Sequence, residues 1–249
     1  YDKPVSDFLL VEVDMRGRAF SDGTPDCNGW ELYDIIDAVE YVKENYKDYL
    51  ISTSVVYFEA GSGGGGNAYA IAGKFPDYFA AIVSKCGMSD YLLWYNNDTV
   101  GEFRDELDIW IGDSENSQAY NSRSGITMVK NLCTPMAIIH GKNDIRVPVY
   151  HARNYIEAVK KCDKEKLVEY WEVPDVGGRD HWTHATPEFF RELDKYRRNF
   201  INSHRQPASI PPKGEMTVCG YLFTKEFSVV LDSIDSIATV TYDLTKNYI

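Results

Sequence analysis

A chain of 249 residues, 44% hydrophobic and 26% charged, has an ordinary globular composition and enough length for one large domain, or one plus a small one. Its 26 basic residues against 38 acidic ones give a net charge of −12, which weighs against nucleic acid and anionic membrane surfaces as partners, since both recruit clustered cations. No apolar run approaches the roughly 20 residues of a membrane span, and the five cysteines (Cys27, Cys86, Cys133, Cys162, Cys219) show no CxxC spacing and read as mostly buried free thiols rather than a zinc or redox motif.

The chain starts at Tyr1 rather than Met and enters an apolar run almost at once, which reads as a fragment or a processed product and leaves the compartment open. Residues 8–14 are expected as a buried strand, because the run begins with continuous apolar residues. A loop rich in Gly, Ser and Asp follows. Residues 31–46 read as a helix, with Leu32, Ile35, Ile36, Val39 and Val42 at three- and four-residue steps. Residues 55–58 are β-branched and aromatic, hence a strand. They lead into a glycine-rich knot with one serine, Gly61-Ser62-Gly63-Gly64-Gly65-Gly66, and then a helix over 67–75. The next strand is 80–84. Residues 91–133 have weaker periodicity and read as a cap-like insertion of short helices. Strand 134–139, helix 149–161, strand 168–173, a loop to 186 and an amphipathic helix over 187–203 with Pro187 in its first turn complete the alternation. Strands alternating with helices imply a mostly parallel sheet covered on both faces. The prolines of 206–212 mark a linker, followed by short β-like runs at 216–218, 227–231 and 238–242. The expected division is an α/β domain over 1–205 and a short β-rich segment over 206–249. The β-like runs begin a further β-domain or pair elsewhere.

A glycine-rich turn between strand and helix serves three kinds of chemistry. A P-loop needs a lysine and a hydroxyl residue where this chain has Asn67-Ala68, so phosphate charge would go unneutralised. A dinucleotide fingerprint fits Gly61 to Gly66 by spacing alone, with Asp90 a poor candidate for the ribose-binding acid. A nucleophile elbow holds a serine on a strained strand-to-helix turn with its hydroxyl exposed. Ser62, Asp144 and the pair His181 and His184 all follow a predicted strand. Active sites of such sheets lie beyond the carboxyl ends of the strands.

Four stretches carry a resemblance: Asp14-Met15-Arg16-Gly17 through Ser21-Asp22-Gly23; Ser62-Gly63-Gly64 with Lys74-Phe75-Pro76-Asp77-Tyr78-Phe79; His140-Gly141-Lys142-Asn143-Asp144-Ile145-Arg146-Val147-Pro148, like HGxxDxxVP; and a histidine after the last strand. In these the chain resembles the α/β-hydrolases, and most closely the catalytic domain of prolyl-oligopeptidase-like (S9) serine peptidases. The order Ser, Asp, His is the hydrolase order. The resemblance implies a serine hydrolase of peptide or ester bonds acting through an acyl-enzyme on a peptide or small ester substrate, with no metal or organic cofactor. Ser62 would be the nucleophile, His181 the base, Asp144 its orienting acid and the Gly63 N–H an oxyanion donor. His184 is the alternative base. The chain departs from the pattern at Ala60, where GxSxG has its first glycine. The resemblance also puts the family's first strands, with a loop supplying an oxyanion donor, before Tyr1, so that another segment or chain would complete that part of the sheet. The competing expectation is a non-catalytic α/β-hydrolase-fold binding or structural protein. A dinucleotide-binding oxidoreductase is more remote, because it explains none of the other three stretches.

The remaining histidines read as a strand-end residue (His140) and as surface residues (His151, His204). The acidic stretch 98–115 reads either as a solvated face or as a rim attracting cationic substrates. Trp94, Tyr95 and Trp110 either line a pocket or form the cap's own small core.

Overall fold

The parallel sheet is built from β1 (Tyr57–Gly61), β2 (Ala81–Lys85), β3 (Met136–Gly141) and β4 (Val168–Val173), hydrogen-bonded in that order. This is a computed structural model, which describes residues 8–98, 101–246 and 249. Strand side chains alternate between faces. Ile82, Met136 and Ile138 point into one core, with α1 (Glu31–Asn45), α2 (Gly63–Lys74) and α6 (Tyr150–Lys161). Ala81, Val83, Ala137 and Ile139 point into the other, against Phe189, Leu193, Phe200 and Ile201 of α7 (Pro187–Ser203). Burial on both faces is why β2 and β3 read as unbroken apolar runs.

Two features differ from the expectation, and a third fills in the expected β-rich C-terminal segment. Residues 8–14 join neither sheet among the described residues. Val13 and Met15 still pack on the first core, and the Phe8 ring meets Tyr57 edge-on at 5.5 Å. An apolar run reads the same whether or not a backbone ladder forms beside it. Second, the glycine knot is the first turn of α2 rather than a loop before it. Third, the C-terminal runs pair with one another: β5 (Lys213–Cys219), β6 (Tyr221–Phe223), β7 (Ser228–Val230) and β8 (Ile237–Asp243) form an antiparallel sheet in the order β7-β6-β5-β8. That sheet docks on the first core through Cys219 and Tyr221, whose ring stacks on Trp30 at 4.7 Å. Asn131 bonds the Thr217 backbone at both ends, 2.7 and 2.8 Å.

Between β2 and β3 lie α3 (Tyr91–Asn96), α4 (Arg104–Trp110), α5 (Ser117–Arg123) and a 3-10 turn at Gly125–Asn131. Tyr91, Trp94, Leu107 and Tyr120 form a cluster of their own, with Tyr95 and Trp110 packed against it. The aromatic residues of this stretch are thus mainly its own small core. Asp90 caps α3, its carboxylate accepting from the Leu93 N–H. All five cysteines are free thiols, Cys27, Cys86 and Cys219 being buried. Among the described residues no helix is long and apolar enough to cross a membrane.

Candidate active site

Ser62 sits between β1 and α2 with φ 55° and ψ −123°, a region that non-glycine residues seldom occupy. Such a conformation costs on the order of 1–3 kcal/mol and persists only where its surroundings enforce it. Here the Ser62 N–H donates to the Lys85 carbonyl at 2.9 Å, and the Ser62 carbonyl accepts from the Gly66 N–H at 3.1 Å. The glycines after it are a packing requirement. A Cβ on Gly64 would come within 2.8 Å of the Ala60 Cβ. One on Gly65 would stand 2.7 Å from the Lys85 carbonyl oxygen and 2.8 Å from Gly87 Cα, and one on Gly66 2.4 Å from Met88 Sδ. The helix start therefore lies directly on the chain leaving β2, which side chains would hold off. Gly63 differs: a Cβ there meets open space.

The acid comes from the turn after β3. Asp144 is buried, and its Oδ1 accepts from the Arg146 and Val147 N–H groups, each at 2.9 Å. Burial alone would raise its pKa, but the neighbouring imidazoles of His140 and His181 and the Val147 N–H favour the anion and hold it down to about 2. His181 comes from the loop after β4. His181 Nδ1 lies 2.7 Å from Asp144 Oδ2 and His181 Nε2 2.8 Å from Ser62 Oγ. Gly177 makes this approach possible. Its φ is 119°, and a Cβ on it would fall 2.2 Å from the Asp144 nitrogen. Two backbone bonds, Asn143 N–H to Val176 O at 2.8 Å and Ile145 N–H to Gly178 O at 3.1 Å, fasten the two loops together.

The structure thus brings Ser62, Asp144 and His181 into one hydrogen-bonded line, with Gly63 next to the serine. His184, three residues on, is exposed, with φ 68°. One histidine differs from its expected surroundings. His151 is fully buried on the inner face of α6, and burial together with nearby His140 lowers its pKa to about 3, so it is neutral. A helix beginning after Pro148 turns that face inward, which the residue type does not reveal. His140, the penultimate residue of β3, is buried beside Asp144, its Nε2 2.7 Å from the Val147 carbonyl oxygen and 3.6 Å from Asp144 Oδ2. A half-open cavity of about 320 Å³ lies beside Ser62, walled by Lys85, Cys86, Trp182, Phe190 and Leu193. These wall residues, and an ion-pair bridge between Glu102, Arg146 and Arg179, escaped the sequence reading. Position offered one signal: Arg146 and Arg179 each stand two residues from Asp144 or His181.

A serine on a strained turn at the carboxyl edge of a parallel sheet, with an aspartate and an imidazole on the loops after β3 and β4, defines the class as α/β-hydrolase fold. The profile of the prolyl oligopeptidase family matches residues 7–201, and the chain belongs to that family. It is 27% identical over 170 residues to the uncharacterized peptidase YuxL of Bacillus subtilis (strain 168), a match covering 66% of this chain and 25% of that protein. It is 25% identical over 216 residues to dipeptidyl peptidase family member 6 of Caenorhabditis elegans, covering 80% of this chain and 28% of the relative. The chain thus spans between a quarter and a third of the length of these relatives. Its fold is shared with an acylaminoacyl peptidase solved in complex with Z-Gly-Gly-Phe-chloromethyl ketone, at TM-score 0.63 and 18% identity, over 76% of this chain and 30% of that one.

Proposed function

We propose that this chain is the catalytic part of a serine hydrolase that cleaves peptide or ester bonds through an acyl-enzyme on Ser62. The observation that supports it most is the His181 imidazole, hydrogen-bonded at one nitrogen to Ser62 Oγ and at the other to Asp144. A serine hydroxyl is a weak nucleophile unless a base stands within hydrogen-bond reach. In this reading Ser62 Oγ attacks the substrate carbonyl carbon while His181 Nε2 takes the hydroxyl proton. Asp144, ionised because its pKa is held down to about 2, stabilises the imidazolium. The Gly63 N–H, at the open N-terminus of α2, donates to the developing oxyanion. His181 then returns the proton to the departing amine or alcohol. A water molecule, deprotonated in the same way, releases the acyl group and restores Ser62. The names of the relatives and of the structural neighbour favour peptide substrates. A second reading, a hydrolase-fold protein without catalysis, draws on Ala60.

A fluorophosphonate probe tests between them. Covalent labelling of Ser62, abolished in Ser62→Ala, is the expected result. An unlabelled parent protein leaves the non-catalytic reading.

A further inference from the structure

The two loops that carry Asp144 and His181 are also joined at their solvent side by one carboxylate from the insertion between β2 and β3. Glu102 Oε1 accepts from Arg179 at 2.6 Å, and Glu102 Oε2 pairs with Arg146 at 3.0 Å. Arg146 stands two residues after Asp144, and Arg179 two residues before His181. We propose that Glu102 is a positioning residue: by bridging Arg146 and Arg179 it holds the acid loop and the base loop in register, so that the insertion governs the alignment of the site. The inference rests on the triad reading above.

The surroundings of the bridge are built to seat it. The Asp98 carboxylate accepts from the Gly101 N–H at 2.9 Å and the Phe103 N–H at 3.1 Å, anchoring the backbone on either side of Glu102. The Phe103 ring packs on Trp94 at 4.4 Å and lies beneath the Arg146 guanidinium, 5.3 Å from its centre. The Trp94 indole N–H donates to the Arg146 carbonyl at 3.1 Å. Arg146 is therefore held by the insertion through its backbone and its side chain, while its own N–H holds Asp144. Two guanidinium groups on facing loops repel, and the carboxylate between them turns that repulsion into attraction. Besides the two arginines, the Asp98 carboxylate is the charged group that acts on Glu102.

An exposed ion pair contributes little to global stability. The side chain of Arg179 is 72% exposed and that of Glu102 30%. A purely structural bridge would therefore leave almost no trace, whereas a positioning bridge shows in rate. Misplacing a reacting group by about 1 Å can cost on the order of a hundredfold in rate, and the fold's remaining backbone bonds between the loops limit the slip.

The test uses the intact protein with Glu102→Gln and Glu102→Asp. Glu102→Gln should lower kcat about tenfold with little change in KM or Tm, and should move the midpoint of the rising limb of kcat/KM against pH to lower pH, because the imidazolium loses support. Glu102→Asp should recover most of both. A kcat within about twofold of the parent's with an unmoved midpoint overturns the inference, as does a kcat loss that merely tracks Tm. A rise in KM at unchanged kcat also overturns it, since the arginines would then meet substrate instead. An inert parent fails the Ser62 reading itself and takes this inference with it.

Discussion

Burial of Lys74 should cost this protein less stability in mild alkali than at neutral pH. Its side chain is fully enclosed between α2 and the C-terminal sheet, where the ammonium donates to the Cys219 carbonyl and lies 4.5 Å from the centre of the Tyr221 ring. Neither partner carries a compensating charge, and burial lowers its pKa from 10.5 to about 8. A folded pKa below the unfolded one means that the unfolded chain holds the proton more tightly. Below pH 8 both states are protonated and the burial penalty is complete, about 3 kcal/mol, since each tenfold change in proton affinity is worth about 1.4 kcal/mol. As pH rises from 8 toward 10.5 the folded state has shed the proton while the unfolded state still binds it, and the penalty fades. Lys74→Met keeps an unbranched chain of similar length and has no proton to lose. The stability of Lys74→Met relative to the parent should therefore fall by about 2 kcal/mol between pH 7 and pH 9.5, whatever its starting value. Urea unfolding of both proteins at several pH values measures it, and ionisations elsewhere cancel in the difference. A difference that stays constant across this range would show that Lys74 is not buried as an ammonium, and would refute the reasoning.

Ser62→Ala should remove covalent labelling and ester turnover while leaving Tm within a few degrees. His181→Ala should lower kcat by several orders of magnitude and His184→Ala by at most about tenfold, in a single-turnover ester assay; equal losses would undo the assignment of the base. The low pKa of Asp144 contributes stability that is present above about pH 4 and lost as pH falls through about 2, so the margin of the parent over Asp144→Asn should shrink by about 2 kcal/mol between pH 5 and pH 2. Gly65→Ala should destabilise by about 3 kcal/mol through its clash with Lys85 and Gly87, whereas Gly63→Ala, facing open space, should leave Tm unchanged.

The parallel sheet was legible because β2 and β3 bury both faces and so announce themselves as apolar runs of the right length. Ser62 was legible because a serine between a strand and four glycines has few structural explanations. The start of α2 was not, since glycine is among the poorest helix formers. Tertiary contact with Gly87 and Met88 overrides that preference, and no local property of residues 63–66 reports it. Burial of His151 and Lys74 was hidden for a related reason: each is a polar side chain on an inward helix face, and its surroundings come from segments far away in sequence. The Glu102 bridge joins residues 44 and 77 positions apart, so only the fold reveals it.

Ala60 reads differently once its neighbours are known. In a GxSxG turn, strand and helix converge on each other within four residues, and the two glycines keep their facing positions free of side chains. The crowding is mutual, so one methyl group can be accommodated if the opposite position has none. Here the methyl group of Ala60 faces Gly64, and a Cβ on Gly64 would stand 2.8 Å from it. One glycine of the pair is thus enough to let β1 and α2 meet, and Ser62 still adopts its strained φ of 55°. The serine conformation depends on the combined bulk at 60 and 64 rather than on the identity of residue 60. Ala60 by itself is therefore no argument against an activated serine, and the weight of the question moves to the hydrogen bond between Ser62 and His181.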